Sequence, residues 1–452
     1  MTRQSDSTSP AIVLFTQDLR VHDNPVLDAA LADGPDVLPL FVLDDAITGT
    51  PFAAPNRMAF LADCLADLDA SLRSRGGRLV VRKGSTAHEV KRLMAETGAA
   101  RIHIAAGVTR HAAHREETLR AAFGDRLHVH GRSLTVLDPG AVTPSSRDHY
   151  AVFTPYLRAW SAVPGRKVLS APARLDVPES ASGTALPSYR AASPALPKGG
   201  ESEGRRVWRR WVDGGGLAGY DEAHDALGAD GTSRISPYLH FGCLSATEIA
   251  AQAAAEESPG AEAFVRQLAW RDFHHQVLAA RPDCADTDYR KRGDTWVRDK
   301  AEAKAWREGR TGYPLVDAGM RQLAHEGWMH NRARLLTASF LVKTLRHDWR
   351  EGAAHFLSLL VDGDIANNQM NWQWMAGTGN DTRPNRVLNP LAQARRLDPD
   401  GTYVRQWVPE LSGLSDRAVR EPWKVSQADR NGYPEPLVEP EDLTARYREA
   451  HG

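Results

Sequence analysis

Five short apolar runs, AIVLF (11–15), DVLPLFVLD (36–44), RLVVR (78–82), RIHIA (101–105) and RLHVH (126–130), alternate with longer amphipathic stretches over the first 135 residues. The runs are rich in Val, Ile and Leu and too short for helices, so each is expected to be a strand. The stretches 24–33, 56–75, 86–98 and 111–123 carry apolar residues at helical spacing. Strand and helix in alternation fold as a parallel sheet covered on both faces, because parallel strands need a crossover between them. No G-x-G-x-x-G follows the first run, so the usual dinucleotide fingerprint is missing.

Beyond residue 135 the pattern changes. Residues 164–204 are rich in Pro, Ser, Gly and Ala with weak periodicity, and read as a long surface linker. From about 205 to 430 the chain reads as mostly helical. The expected domains are 1–135 (α/β), 136–204 (connector) and 205–452 (helical). With 452 residues and a net charge of −1, the chain has ample core and no general affinity for polyanions. Three widely spaced cysteines give neither a disulfide framework nor a zinc pattern, and fit a reduced cytoplasm. The polar start MTRQSDSTSP is unlike a secretory signal, and no run of apolar residues is long enough to span a membrane.

The helical half concentrates the chemistry. DGDIANNQMNWQWMAGTGND (362–381) packs carboxylates, amides and two indoles together, and all tryptophans except Trp160 lie at or beyond Trp208. On a helix, residues four apart share a face. Asn368 and Trp372 should therefore face one way and Trp374 another. Gln267, Trp270 and Arg271 should share a face, as should Asn331, Arg334 and Leu335. Tryptophans at helical spacing ordinarily fill a core, but apolar packing has no need of DGD, NN and WQW side by side.

These segments, with TSRIS (232–236), EGWMHNRAR (326–334), FTQDLRVHDNP (15–25), VFTPYLRAW (152–160) and RQWVPEL (405–411), resemble the photolyase/cryptochrome family, and within it class I-like cyclobutane pyrimidine dimer (CPD) photolyases. The resemblance covers nearly the whole chain. It implies an α/β N-terminal Rossmann-like antenna domain with a five-stranded parallel sheet, plus an all-α C-terminal FAD-binding domain.

It also implies roles, residue by residue. Tyr220, Thr232, Ser233, Arg234, Ile235 and Ser236 match the segment that holds FAD phosphates and ribityl; Arg271 is a further cofactor contact. Asn331, Arg334, Asp362, Gly363 and Asp364 match positions around the flavin ring, with an Arg–Asp pair at its edge. Asn368 matches the residue facing flavin N5, where an amide suits an anionic reduced ring. Trp296, Trp349 and Trp372 match a three-indole electron path from surface to flavin. Trp270 and Trp374 match the indoles that stack on a flipped-out dimer, and Asn331 and Arg332 match the DNA-facing rim. Two positions depart from the pattern: Gln267 stands where class I members place a Glu, and Leu335 where they place a Met. The loop after WQW is also one residue shorter. The (6-4) photolyases are a poorer match, since they carry a His pair where this chain has Asn331 and Leu335.

The antenna segment TRHAAHREE lacks the Asn–Glu pair of folate-binding members, so a second chromophore stays open among deazaflavin, folate, flavin or none. Asp18 and Arg20 sit at the end of the first strand, where ligands of α/β sheets gather. No metal site is expected of His103, His111 and His114. A basic rim for DNA is expected from RRVWRR (205–210), Arg266, Arg271, Arg332, and the stretch from Arg383 to Arg396, including Arg386 and Arg395. The reading is a light-driven, FAD-dependent lyase that repairs CPDs in DNA, a cytoplasmic monomer. The alternatives are a cryptochrome-type blue-light photoreceptor and a dark flavoprotein.

Overall fold

The computed structural model describes residues 9–178, 180–229 and 231–451. Two compact units emerge: residues 1–191, 198–214 and 234–282 form the first, and residues 192–197, 215–233 and 283–452 the second.

The first unit is built on five parallel strands, β1 (Ala11–Phe15), β2 (Val37–Asp44), β3 (Val80–Gly84), β4 (Arg101–Ala105) and β5 (Leu127–His130), in the order β3-β2-β1-β4-β5. Ala11 pairs with Val37 on one side and Arg101 on the other. The order reverses beside β1, which makes the loops after β1 and β4 the switch point of the sheet. The helices Pro25–Asp33, Pro55–Arg73, Thr86–Thr97 and Arg110–Phe123 match the expected positions. A short helix, Asp45–Thr48, lies between two of them where the sequence offers no period long enough to read. Ile12, Leu14, Leu38, Leu40, Ile102 and Ile104 form the centre of one core cluster, each stabilising by about 1.5–3 kcal/mol when fully buried.

Within the stretch 164–204, main-chain bonds tie residues 175–184 to the first unit. Leu175 N–H donates to Arg75 O at 2.8 Å, Val37 N–H to Asp176 O at 3.0 Å, and Thr184 N–H to Val81 O at 2.7 Å. Arg78 and Arg82 grip the carbonyls of Ala181 and Ser182. Leu175 and Ala181 are buried. The segment thus covers the free edge of β3, satisfying backbone groups that an edge strand leaves open. Its weak periodicity reflects pairing through main chain. From Glu201 it runs as a helix to Asp213.

The second unit is helical. Pro314–Glu326, Asn331–Ser339, Trp349–Leu359 and Ile365–Ala376 share one core containing Trp306, Tyr313, Leu336, Phe340, Trp349 and Trp372. Side-chain caps start three of them: His330, Asp348 and Asp364 accept from main-chain N–H groups in the first turn. Gly377, at φ +83°, ends Ile365–Ala376 in the left-handed conformation that favours glycine. Among the described residues, no helix is long and apolar enough to cross a membrane.

Candidate functional site

Within the second unit, helix Ile365–Ala376 sorts its side chains as 3.6-residue geometry requires. Asn368 and Trp372 are buried on one face, and Trp374 is half-buried on another. The Asn368 amide donates to Ala353 O at 3.3 Å and to Gln369 Oε1 at 2.9 Å, so its orientation is fixed from two sides. Trp372 packs against Phe356, with ring centroids 4.9 Å apart, and against Trp306 at 6.0 Å. A Cβ on Gly352 would lie 2.2 Å from Trp372 Cη2. Only glycine allows helix Trp349–Leu359 to approach the indole that closely.

The three candidate electron-path indoles belong to the same core. Trp349 is 0% and Trp372 2% exposed, while Trp296 is half-buried at its margin. Trp349 donates its indole N–H to Asp288 at 2.9 Å and lies under the Arg350 guanidinium, 4.6 Å from the ring centroid. Trp306, fully buried beside Trp372, was absent from the sequence candidates; a Trp in KAEAKAWR carries no signal beyond an amphipathic helix.

Arg334 and Asp362 form the expected pair at 2.8 Å, and the Asp362 side chain is only 4% exposed. Arg334 also donates to Met329 O at 2.7 Å, which holds the fork in place. Asp364 accepts from the Asn367 N–H and side-chain amide at 2.7 and 2.8 Å, so its first task is to cap the helix. Gly363, between the two acids, is buried. Asn331 is exposed at the start of its helix, and Leu335 is half-buried one turn on. Arg332 is engaged by the Asp225 carboxylate, a partner the sequence did not suggest, which partly neutralises its charge. Tyr220 is buried, which pushes its hydroxyl up to about 12. Thr232 and Ser233 are half-buried.

The remaining candidates belong to the first unit. Ile235 is buried, Arg234 and Ser236 are half-buried, and Arg234 has φ +51°. Helix Pro259–Ala280 carries the expected trio with graded exposure: Gln267 is exposed, Trp270 and Arg271 half-buried. Trp270 stacks on Phe153 at 3.6 Å and 8°, so one face of the indole is already covered. Arg271 donates to Leu134 O at 2.6 Å and Leu239 O at 3.3 Å, an anchoring use of its fork that the sequence did not reveal. Next to it Asp272 is buried, which raises its carboxyl above the usual range, and it accepts from Leu137 N–H and the Trp160 indole.

At the sheet's switch point, Arg20 is wholly buried and spends its guanidinium on the carbonyls of Asp23, Gly242 and Ser133. Asp18 accepts from Thr16 N–H. Both therefore build the loop after β1. A cavity of about 260 Å³ opens beside the loop after β4, lined by Val108, Thr109, Arg110, His114 and Glu117 among others. His103 is stacked on His128 and contacts His130 at 3.0 Å. Among the described residues, no group of three His, Cys, Asp or Glu is arranged to hold a metal ion.

Comparison with known proteins covers the chain from end to end. A model for DNA photolyase matches residues 11–176, and one for the FAD binding domain of DNA photolyase matches residues 264–451. A deoxyribodipyrimidine photo-lyase of Streptomyces griseus is 58% identical over 98% of this chain and 99% of its own length. A class III photolyase from Agrobacterium tumefaciens superposes with a TM-score of 0.90 at 30% identity, covering 100% of this chain and 99% of the other. An archaeal photolyase from Sulfolobus tokodaii, solved with two FAD molecules, gives a TM-score of 0.83 at 30% identity over 98% and 99%.

Proposed function

The chain belongs to the DNA photolyase family, and on that premise we propose that it is a deoxyribodipyrimidine photo-lyase that repairs cyclobutane pyrimidine dimers in DNA under light. The observation that carries this reading is the 58% identity, along the whole chain, to a relative that bears the enzyme's name. A photoreceptor role is less favoured on the same ground.

FAD is the cofactor. The chemistry that FAD supplies when bound and reduced is a photoexcited electron, lent to the dimer and returned once the cyclobutane ring has opened, so the reaction is a lyase reaction without net redox change. The residues present suit that group: a buried carboxylate neutralised by a guanidinium, a buried amide held from two sides, and hydroxyls at 220, 232, 233 and 236.

The chain's own residues bind, orient and connect. Tyr220, Thr232, Ser233, Arg234, Ile235 and Ser236 hold the phosphate and ribityl parts, Arg271 is a further cofactor contact, and Asn331, Arg334, Asp362, Gly363 and Asp364 hold the ring. Asn368 presents an amide to the ring, which has no acidic proton to give up. Trp296, Trp349 and Trp372 lead electrons inward from solvent. Gln267, Trp270, Asn331, Arg332, Leu335 and Trp374 receive the dimer. A damaged pair costs less to extrude than a sound one, which gives selectivity. Gln267 can still donate and accept a hydrogen bond to the pyrimidines, without the proton chemistry of an acid.

In this reading residues 1–135 are the antenna domain, 136–204 the connector and 205–452 the catalytic domain, acting as a cytoplasmic monomer with a second chromophore of open identity. The test is repair of a synthetic thymine-dimer oligonucleotide by the photoreduced protein under blue light, with a dark control. Light-dependent recovery of intact thymines is expected. Binding without recovery, by protein whose flavin photoreduces normally, moves the reading to the photoreceptor.

A further inference from the structure

Lys343 is 1% exposed, on a π-helical turn (Phe340–Thr344) that interrupts regular helix. Such turns are costly and often serve a site. A buried ammonium is costly too: burial and nearby Arg292 push it down to about 7, against Asp294 and Asp381. It is tolerated when each N–H finds an acceptor. Here all three do: Ala376 O at 3.2 Å, Pro384 O at 2.6 Å and the Tyr447 hydroxyl at 2.8 Å.

Those acceptors define what the lysine joins. Ala376 ends the helix that carries Asn368, Trp372 and Trp374, Pro384 lies in the loop that follows, and Tyr447 is on the helix Ala445–His451. The same loop is held again by Arg290 on Asp381 O at 3.1 Å, and by Arg292 and Tyr447 on Asn385 Oδ1 at 2.9 and 3.1 Å. At its start the loop is pressed close, for a Cβ on Gly377 would lie 2.7 Å from Pro384 O. Arg383 lies between these fixed points and Arg386 directly follows the last of them, and both are exposed. The loop is thus pinned from beneath at 376, 381, 384 and 385, and its cations point outward.

We propose that Lys343 is a positioning residue that fixes the 377–387 loop so that Arg383 and Arg386 meet the phosphates flanking the lesion. This rests on the DNA-repair reading. Phosphate contacts need charge at a fixed place, and each is worth about one unit of salt slope.

The experiment measures affinity for a dimer-containing duplex across a salt series, with flavin content and photoreduction as controls for an intact core. Arg383→Ala with Arg386→Ala is expected to lower the salt slope by about 2. Lys343→Met is expected to weaken binding about tenfold, in line with loss of one or two phosphate contacts, while flavin content and photoreduction stay normal. Combined with the arginine changes, Lys343→Met should cost nothing further, because the loop then has no cation left to place. A merely structural lysine gives additive losses instead, and additivity overturns the proposal. So does wild-type affinity in a flavin-loaded Lys343→Met protein. If Lys343→Met does not load flavin, Tyr447→Phe carries the test, with a smaller loss that again vanishes in the arginine-free background; a loss that persists there counts against the idea. If the parent protein does not bind dimer DNA at all, the repair reading falls and this inference with it. If the parent binds but loses nothing with both arginines, only this inference falls.

Discussion

Two helices carry most of the candidate chemistry, and they are built in opposite ways. Ile365–Ala376, in the second unit, is enclosed: Asn368 is tied to Ala353 and Gln369, Trp372 is packed on Phe356 and Trp306, and Gln373 is buried and donates to Cys284 O and Thr287 O. Pro259–Ala280, in the first unit, leaves Gln267 exposed and Trp270 half-exposed, with one indole face resting on Phe153. The first arrangement over-determines each side chain. The second holds its anchors, Arg271 and Asp272, and leaves the tips for a ligand to order. On the proposed reading, electronic tuning needs groups that do not move, whereas receiving a substrate needs side chains that solvent can reach.

The contrast can be broken at the enclosed helix first. Trp372→Phe is expected to abolish photoreduction by a thiol donor under blue light, since it removes the interior end of the indole path. Photoreduction at the parent rate in that variant would sink the path as drawn. The next effect is at the buried ion pair. Arg334→Met leaves the Asp362 carboxylate without its guanidinium, which should cost about 3 kcal/mol and lower flavin content. Asp362→Asn together with Arg334→Met should recover part of the stability but not the flavin, which a denaturant titration and an absorbance spectrum can separate. A smaller loss, about 2 kcal/mol, is expected for Gly352→Ala, because Trp372 is packed in place and yields little. An unchanged unfolding midpoint there would mean the indole is looser than its contacts imply.

How far the sequence displayed these features follows from the kind of signal each one uses. The strands of the first unit were legible because each is a short Val- and Leu-rich run between helical periods. Burial on both faces leaves no other reading for five of them in series. The helix Ile365–Ala376 was legible in its faces, since Asn368, Trp372 and Trp374 obey a fixed angular step. What stayed hidden depends on partners distant in sequence. The 164–204 segment makes its case through main-chain bonds, which side-chain patterns do not record. Asp225 meets Arg332 across 107 positions, Lys343 meets Tyr447 across 104, and a lysine in FLVKT looks like any other. Arg271 could be read as a cation but not as an anchor, because its carbonyl partners Leu134 and Leu239 lie 137 and 32 positions away.

The smallest expected effect is on the open helix and tests the other half of the contrast. Gln267 is exposed, so Gln267→Ala should leave the unfolding midpoint unchanged. Its cost should appear only with substrate, as the loss of one hydrogen bond to the pyrimidines, about 1 kcal/mol or roughly fivefold in affinity for the dimer. Affinity for undamaged duplex should not change, because phosphate contacts are made elsewhere. Gln267→Glu should bind as the parent does and differ only in repair yield per absorbed photon, because an acid can share a proton with a charged dimer and an amide cannot. If Gln267→Ala instead lowers stability or flavin content, the residue belongs with the enclosed set, and the division between a rigid electronic helix and an open receiving helix does not hold.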